Sequence, residues 1–249
     1  MDERTQGALL LAVGGIAVRL GVTDAALAYV KPGMQPLLAV AGVFLVIIGG
    51  LTVIRAFRGQ PDPVDLHGHT SDEVLGHHAG HGPGVAWLLT LPLLALLLIA
   101  PPPLGAFAAD RQSDRPPPAR ETAFGPLPAA ENGAVPLKVT EFVYRALYDE
   151  SRSLEGQRVR LSGFVTNSQE DGVAFQLTRF VLACCAADGQ AVNVAVRTDQ
   201  PAPAPDTWLE IEGTWAPRED HEPGELSLEP PLLELESMRP IEAPAQPYE

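Results

Sequence analysis

The chain has 249 residues and a formal net charge of −14, and its two halves differ in chemistry. Residues 1–109 hold 5 Lys/Arg and 7 Asp/Glu, whereas residues 110–249 hold 12 and 24, so −2 of the net charge lies in the first part and −12 in the second. Binding to nucleic acids or anionic lipids depends on Lys and Arg side chains that displace counterions. The composition therefore excludes a nucleic-acid-binding protein and predicts that the second half is exposed to water.

Two long apolar runs open the chain. Residues 7–30 can cross roughly 30 Å of hydrocarbon as a helix, residues 37–54 form a second run, and we expect residues 1–60 to be a transmembrane helical hairpin. A charged side chain within such a run costs about 2.5 to 3.5 kcal/mol unless it is shielded, so we expect Arg19 and Asp24 to contact helices of a partner protein. Glycines offer flat surfaces for close packing of the two helices: Gly14, Gly15, Gly42, Gly49 and Gly50.

A third apolar run covers residues 85–104, and we assign residues 85–108 to a third transmembrane helix. Its apolar core followed by Ala106-Phe107-Ala108 also resembles a signal sequence with its cleavage site, but the internal position favours a retained anchor. The Lys and Arg residues near the helix ends are almost balanced across the membrane. We expect a multi-pass protein of the cell membrane, with its N-terminus inside and its soluble domain outside.

The loop expected at residues 61–84 concentrates histidines. It contains His67, His69, His77, His78 and His81. Neutral imidazoles bind first-row transition metals, and a helical segment would direct His77 and His81 toward one ion. The alternative is a histidine-biased linker that binds metal weakly, as any polyhistidine tract does. Both interpretations predict a transition-metal ion such as zinc and exclude a closed catalytic site.

The second half of the chain reads as a tether followed by a small β-rich domain. Residues 109–136 are rich in Pro, Ala and charge, which predicts an extended linker. Residues 137–150 predict one amphipathic helix with Thr140 as its N-cap. Five short runs with alternating apolar residues follow, and they predict a soluble domain over residues 137–249 that is a barrel of the oligonucleotide/oligosaccharide-binding type. A five-stranded sandwich would show the same alternation.

The chain's two cysteines, Cys184 and Cys185, are adjacent. They cannot close a long-loop disulfide, which leaves buried thiols, a strained vicinal disulfide or a metal-ligand pair. With Asp188, and with His221 as a fourth donor, they can coordinate a borderline metal. The alternative is that one thiol packs in the core while Asp188 caps a turn. Neighbouring strand residues face opposite sides of a sheet, so one ion can reach both thiols only where a bulge or turn intervenes.

No nucleophile elbow, phosphate loop or metalloprotease helix occurs, and we therefore predict a protein that is not an enzyme. The string TRFVLACCAADG, a GFV strand, an EIEGTW strand and the PYE terminus resemble an uncharacterised bacterial family that is named as permease subunits and whose genes commonly lie beside one for a predicted multi-span permease. Its signature segment corresponds to Arg179, Cys184, Cys185 and Asp188. The resemblance implies an accessory membrane subunit that acts with a permease.

Besides a purely structural envelope protein, two functions remain open from the sequence. The first is a non-enzymatic membrane accessory subunit of a transport system, whose soluble domain recognises a solute or a transition-metal ion. The second is a self-sufficient membrane anchor that binds metal or senses redox state through the histidine loop and the cysteine pair.

Overall fold

The computed structural model describes residues 3–58, 102–112, 124–218 and 229–249, which belong to two compact units. The first unit contains helices α1 (Glu3–Gly21) and α2 (Gln35–Arg58). Among the described residues, α2 is the one helix that is long and apolar enough to cross a membrane, because the apolar part of α1 is shorter. The histidine loop and residues 85–101 of the expected third span lie outside the described residues.

Helices α1 and α2 pack against each other through glycines, as the sequence predicts for Gly14, Gly42 and Gly49. A Cβ atom at Gly14 would lie 2.8 Å from the carbonyl oxygen of Gly42, and one at Gly49 would lie 2.9 Å from the amide nitrogen of Leu11. Such distances leave room for hydrogen only, so the two backbones are in direct contact. Gly15 and Gly50 are outside this contact, since a Cβ there would meet nothing within 4 Å.

Helix α1 ends at Gly21, although the apolar run predicts a helix that continues to residue 30. The hydroxyl of Thr23 donates to the carbonyl oxygen of Arg19 at 2.9 Å, and a 3-10 helix then begins at Asp24. Arg19 therefore lies in the last turn of α1, and Asp24 lies beyond it. A charged side chain at a helix end can reach the membrane interface. The free-energy cost of placing Arg19 and Asp24 in a membrane is therefore smaller than the sequence suggests, and so is the need for partner helices to shield them.

The second unit comprises Leu27–Lys31 and the chain from residue 102 onward. Its elements in chain order are α3 (Ala106–Ala109), β1 (Val135–Pro136), α4 (Val139–Tyr148), β2 (Arg158–Thr166), β3 (Phe175–Val181), β4 (Gln190–Arg197), β5 (Trp208–Ala216) and β6 (Leu232–Pro240). The strands pair in the order β2-β3-β4-β6-β5, and β5 pairs again with β2, which closes a five-stranded barrel. The predicted barrel with a preceding helix is thereby confirmed, and the sandwich alternative is wrong.

The barrel core follows from the alternation in its strands. Val159, Leu161, Leu209 and Ile211 point inward and are at most 1% exposed. The next inward position of β2 is Gly163, where a Cβ would lie 2.7 Å from the carbonyl oxygen of Thr178. Strand β2 pairs with β5 from Arg158 to Phe164 and with β3 from Phe164 to Thr166, so β3 comes close to β2 directly beside this glycine.

Chain segments before the domain also pack on the barrel. Ala106 and Ala109 of α3 are buried against Phe164 and Phe180, and the amide of Ala106 donates to the Asp206 carboxylate at 2.6 Å. Residues 102–112 and 124–136, which the sequence assigns to the end of a span and to a tether, thus include parts of the folded unit. Apolar residues in these segments provide the contact.

Helix α4 begins at Val139, and its N-cap is Lys138 instead of Thr140. The side chain of Glu249 replaces a local cap, because its two carboxylate oxygens accept hydrogen bonds from the amides of Val139 and Thr140 at 3.1 and 2.9 Å. The Thr140 hydroxyl also donates to this carboxylate. A residue more than a hundred positions away therefore satisfies the first amides of the helix.

Candidate metal centre

The two cysteines lie in a loop and not on a strand. Strand β3 ends at Val181, the buried Leu182 follows, and a 3-10 helix forms at Ala186–Asp188 before β4 begins. Cys184 is exposed and Cys185 is half-buried. We call residues 183–189 the cysteine loop. It supplies the turn that two adjacent thiols need if they are to face one ion.

Asp188 folds the cysteine loop around its own carboxylate. One of its oxygens accepts the amide of Ala183 at 2.8 Å, and the other accepts the amides of Cys184 at 2.8 Å and Cys185 at 3.2 Å. Three consecutive amides thus point at one side chain, and the two cysteine side chains project from the same turn. Asp188 lies in the turn before Gly189, and neither cysteine is fully buried.

The donor atoms of Cys184, Cys185 and Asp188 all lie within 4.8 Å of one another. The two sulfur atoms are 3.6 Å apart. In a tetrahedral zinc site with Zn–S distances of about 2.3 Å, two sulfur ligands lie about 3.8 Å apart, whereas a linear two-sulfur site requires about 4.6 Å. The sulfur separation therefore fits a tetrahedral ion.

The Cys184 thiol is protonated at neutral pH. Its hydrogen bond to Asp188 raises the pKa of the thiol to about 12. The same hydrogen bond lowers the pKa of the Asp188 carboxyl to about 2, and the hydrogen bonds from the backbone amides lower it as well. The thiol of Cys185 also stabilises the protonated form of Cys184. Because the thiolate is the form that attacks oxidants and disulfides, Cys184 is a poor nucleophile in this state. A cation that replaces the shared proton would reverse this preference.

The structure separates the four residues of the signature segment into two groups. Cys184, Cys185 and Asp188 form the donor cluster, whereas Arg179 is buried and pairs with Glu249 at 3.4 Å. The guanidinium carbon of Arg179 also lies 4.9 Å from the centre of the Trp208 ring. Arg179 therefore anchors the C-terminal residue. The expected histidine ligands of the loop and His221 lie outside the described residues.

Sequence reasoning missed the residues that hold the cysteine loop. The backbone of Tyr29–Lys31 pairs with it, the side chain of Gln112 bonds to its end, and Tyr248 bonds to both neighbouring segments. No periodic pattern marks these positions, since each contact joins residues more than 70 positions apart. Only the PYE string at residues 247–249, used above as part of a resemblance, drew attention to Tyr248 and Glu249.

Comparison with curated proteins finds no match to this chain. A comparison with family models does match its second half, over residues 131–249. The matched range begins just before β1 and contains α4, all five barrel strands and the cysteine loop. It leaves out α1, α2 and the segments at Leu27–Lys31 and 102–112. Residues 131–249 thus match the DUF1980 C-terminal domain, an uncharacterised family.

Proposed function

We propose that the protein is a non-enzymatic membrane accessory subunit of a transport system, and that its barrel binds a transition-metal ion of the zinc class. The observation that carries the metal role is the cluster of two sulfurs and a carboxylate whose donor atoms lie within 4.8 Å of one another. The transport role rests on the resemblance of the RFVLACCAAD segment to permease subunits.

The donor set selects the ion. Thiolate sulfur prefers soft and borderline cations. The carboxylate ligand and the sulfur–sulfur distance of 3.6 Å fit a tetrahedral zinc ion better than a copper(I) ion with two sulfur ligands in a line. Binding forms two metal–sulfur bonds and breaks two S–H bonds, and both protons pass to solvent. No electron is transferred, since the thiols remain in the same oxidation state.

The described cluster supplies three donors and Cys184 is exposed, which suits exchange of the ion with a partner. A structural zinc site is closed by four protein ligands, whereas a site with an open position keeps water or an incoming ligand there. An accessory subunit that collects an ion for a permease needs that open position. The expected permease contacts of Arg19 and Asp24 remain a prediction of the same model.

We place the barrel outside the cell in a multi-pass protein. Leu27–Lys31 joins α1 to α2 in the chain, yet it belongs to the barrel's unit and pairs with the cysteine loop. An α2 that spans the membrane carries the chain from that side to the opposite one at Arg58. The chain must then recross before residue 102, and the apolar run at residues 85–104 is the sequence's candidate for this crossing. Arg55 and Arg58 favour the inside for the end of α2.

Cobalt(II) tests the metal role in the full chain in mild detergent, because sulfur ligation gives a thiolate-to-cobalt charge-transfer absorption that histidine ligation lacks. We expect this absorption in the unaltered protein, its loss in the double variant Cys184→Ser with Cys185→Ser, and its displacement by zinc. The matched control replaces the five loop histidines by alanine, which lowers total metal uptake and leaves the thiolate absorption. Absence of the absorption from the unaltered protein would refute the metal role.

Co-purification tests the transport role separately. The tagged full chain, extracted in mild detergent, should retain a multi-span permease, which the resemblance predicts to be encoded beside it. If that permease never accompanies the chain while cobalt still gives the thiolate absorption, the metal site stands and the permease role fails.

A second candidate is the self-sufficient metal-binding or redox-sensing anchor, which the exposure of Cys184 favours. Its metal-binding form shares the cobalt result and differs in needing no permease. Its redox form requires a reactive thiolate, which the hydrogen bond from Cys184 to Asp188 opposes. Alkylation of Cys184 at neutral pH as fast as that of a free thiol would favour the redox form.

A further inference from the structure

The cysteine loop is held from one side by the segment Leu27–Lys31. The amide of Lys31 donates to the carbonyl oxygen of Cys184 at 3.1 Å, and the amide of Ala186 donates to the carbonyl oxygen of Tyr29 at 2.7 Å. These two bonds flank Cys185, which forms an antiparallel bridge with Val30. The backbone on both sides of Cys185 is thereby fixed by a segment that lies outside the DUF1980 domain.

The side chain of Gln112 holds the other end of the loop. Its amide nitrogen donates to the carbonyl oxygen of Gly189 at 2.8 Å, and its amide oxygen accepts the amide of Ala191 at 2.8 Å. One side chain thus forms the two hydrogen bonds that a neighbouring strand would form. Gly189 follows Asp188 directly, so the Gln112 contact fixes the residue next to the carboxylate donor.

The hydroxyl of Tyr248 connects the two bracing segments. It donates to the carbonyl oxygen of Ala28 at 2.7 Å and accepts the amide of Leu104 at 2.9 Å. The backbone of Tyr248 in turn pairs with Phe180 of β3, the strand that leads into the cysteine loop. A single hydroxyl therefore joins Leu27–Lys31 and residues 102–112 beside β3, the strand that leads into the cysteine loop.

We infer that the cation site is completed by these two segments from outside the DUF1980 domain, with Gln112 and Tyr248 as positioning residues that set its affinity. The inference rests on the metal role proposed above. A loop of seven residues with one internal carboxylate would lose conformational entropy when it binds an ion. The hydrogen bonds from the two segments restrict the loop before binding, so less entropy is lost and the ion binds more tightly. None of the bracing groups is a ligand, so the effect on the ion is indirect.

Two variants of the full chain test this role: Gln112→Ala, which removes both contacts of the amide, and Tyr248→Phe, which removes only the hydroxyl. We expect each to weaken zinc affinity roughly threefold to tenfold, the factor for one or two net hydrogen bonds. The thiolate absorption of the cobalt form should persist at saturation with altered band positions, because the ligands are unchanged and their geometry is looser. Gln200→Ala, on an exposed loop before β5, is the matched control and should bind like the unaltered protein.

Hydrogen exchange of the metal-free protein provides a readout that does not depend on the metal role. Amides of residues 183–189 should exchange faster in both variants than in the unaltered protein or in Gln200→Ala. Unchanged exchange in both variants would overturn the bracing, and unchanged zinc affinity with faster exchange would overturn its link to the site. If the unaltered protein lacks the thiolate absorption, the proposed metal role fails and the exchange result alone decides the bracing.

Discussion

Glu249 shows how much a single side chain contributes to this unit. Its carboxylate accepts the first two amides of α4 and forms an ion pair with the buried Arg179. The side chains of Arg179 and Glu249 are only 9% and 5% exposed, so the charges are removed from water and must compensate each other. Burial lowers the pKa of Arg179, and the neighbouring carboxylate of Glu249 partly offsets this effect.

We predict that Glu249→Ala destabilises the barrel by about 3 kcal/mol, because it leaves a buried charge unpaired and a helix start uncapped. Glu249→Gln should cost less, since the amide oxygen still accepts hydrogen bonds from α4. Thermal unfolding of the full chain in detergent measures the difference. The control is Glu236→Ala, which breaks the exposed pair with Arg158 and should cost at most about 1 kcal/mol. Equal melting temperatures for Glu249→Ala and Glu236→Ala would contradict the role of Glu249.

At the scale of elements, the ends of one strand and one helix determine which residues can form the cysteine loop and its contacts. Strand β3 stops at Val181, so the two cysteines leave the alternation that would separate them onto opposite faces. Helix α1 stops at Gly21, which releases Leu27–Lys31 to pair with the cysteine loop. Both ends are set by contacts from elsewhere in the chain as well as by local turn residues.

The contact between α1 and α2 makes a second prediction. Gly42→Ala should destabilise the helix pair by roughly 1 to 3 kcal/mol, the usual cost of overpacking, because its Cβ would lie 2.6 Å from the amide nitrogen of Val18. Gly50→Ala is the matched control on the same helix, where a Cβ meets nothing within 4 Å. The melting temperature in mild detergent should fall for Gly42→Ala only. A fall of the same size for both would mean that helix propensity, and not the contact, is measured.

At the scale of the whole molecule, the pairing of Leu27–Lys31 with the cysteine loop limits the ways in which the chain can cross a membrane. The segment and the barrel must lie on one side, and the far end of a spanning α2 must lie on the other. A protein with α1 and α2 as its only crossings would separate the segment from the barrel. The contact is satisfied if a spanning α2 is followed by one further crossing, and if α1 also spans, the chain would cross three times.

Labelling in intact cells checks this topology. In the background Cys184→Ser with Cys185→Ser, we would introduce one cysteine at a time by Lys31→Cys, Gln200→Cys or Arg58→Cys, all at exposed positions. An impermeant thiol reagent should modify the first two in intact cells and the third only after permeabilisation. Labelling of Lys31→Cys and Gln200→Cys on opposite sides would contradict the three-crossing arrangement. If Lys31→Cys and Gln200→Cys were both protected and Arg58→Cys were labelled, the orientation in the membrane would be the opposite of the one we propose.

The division into an apolar first part and an acidic β-rich second part could be predicted from the sequence, because hydropathy and period are local properties. The sequence also predicted the closed barrel with its preceding helix, since inward positions such as Val159 and Ile211 recur at every second residue. The close packing of α1 on α2 could likewise be predicted, because glycines without side chains occur in both apolar runs.

The conformation of the cysteine loop, and the contacts that hold it, could not be predicted because they form only in the folded molecule. The donor cluster depends on a turn that Asp188 organises, while Gln112, Tyr248 and Leu27–Lys31 brace it from distant parts of the chain. Glu249 likewise caps α4 across 110 positions, and no local signal marks it in place of Thr140. Hydrogen bonds between remote residues leave no period in a sequence, because their partners are selected by the closure of the barrel and not by spacing along the chain.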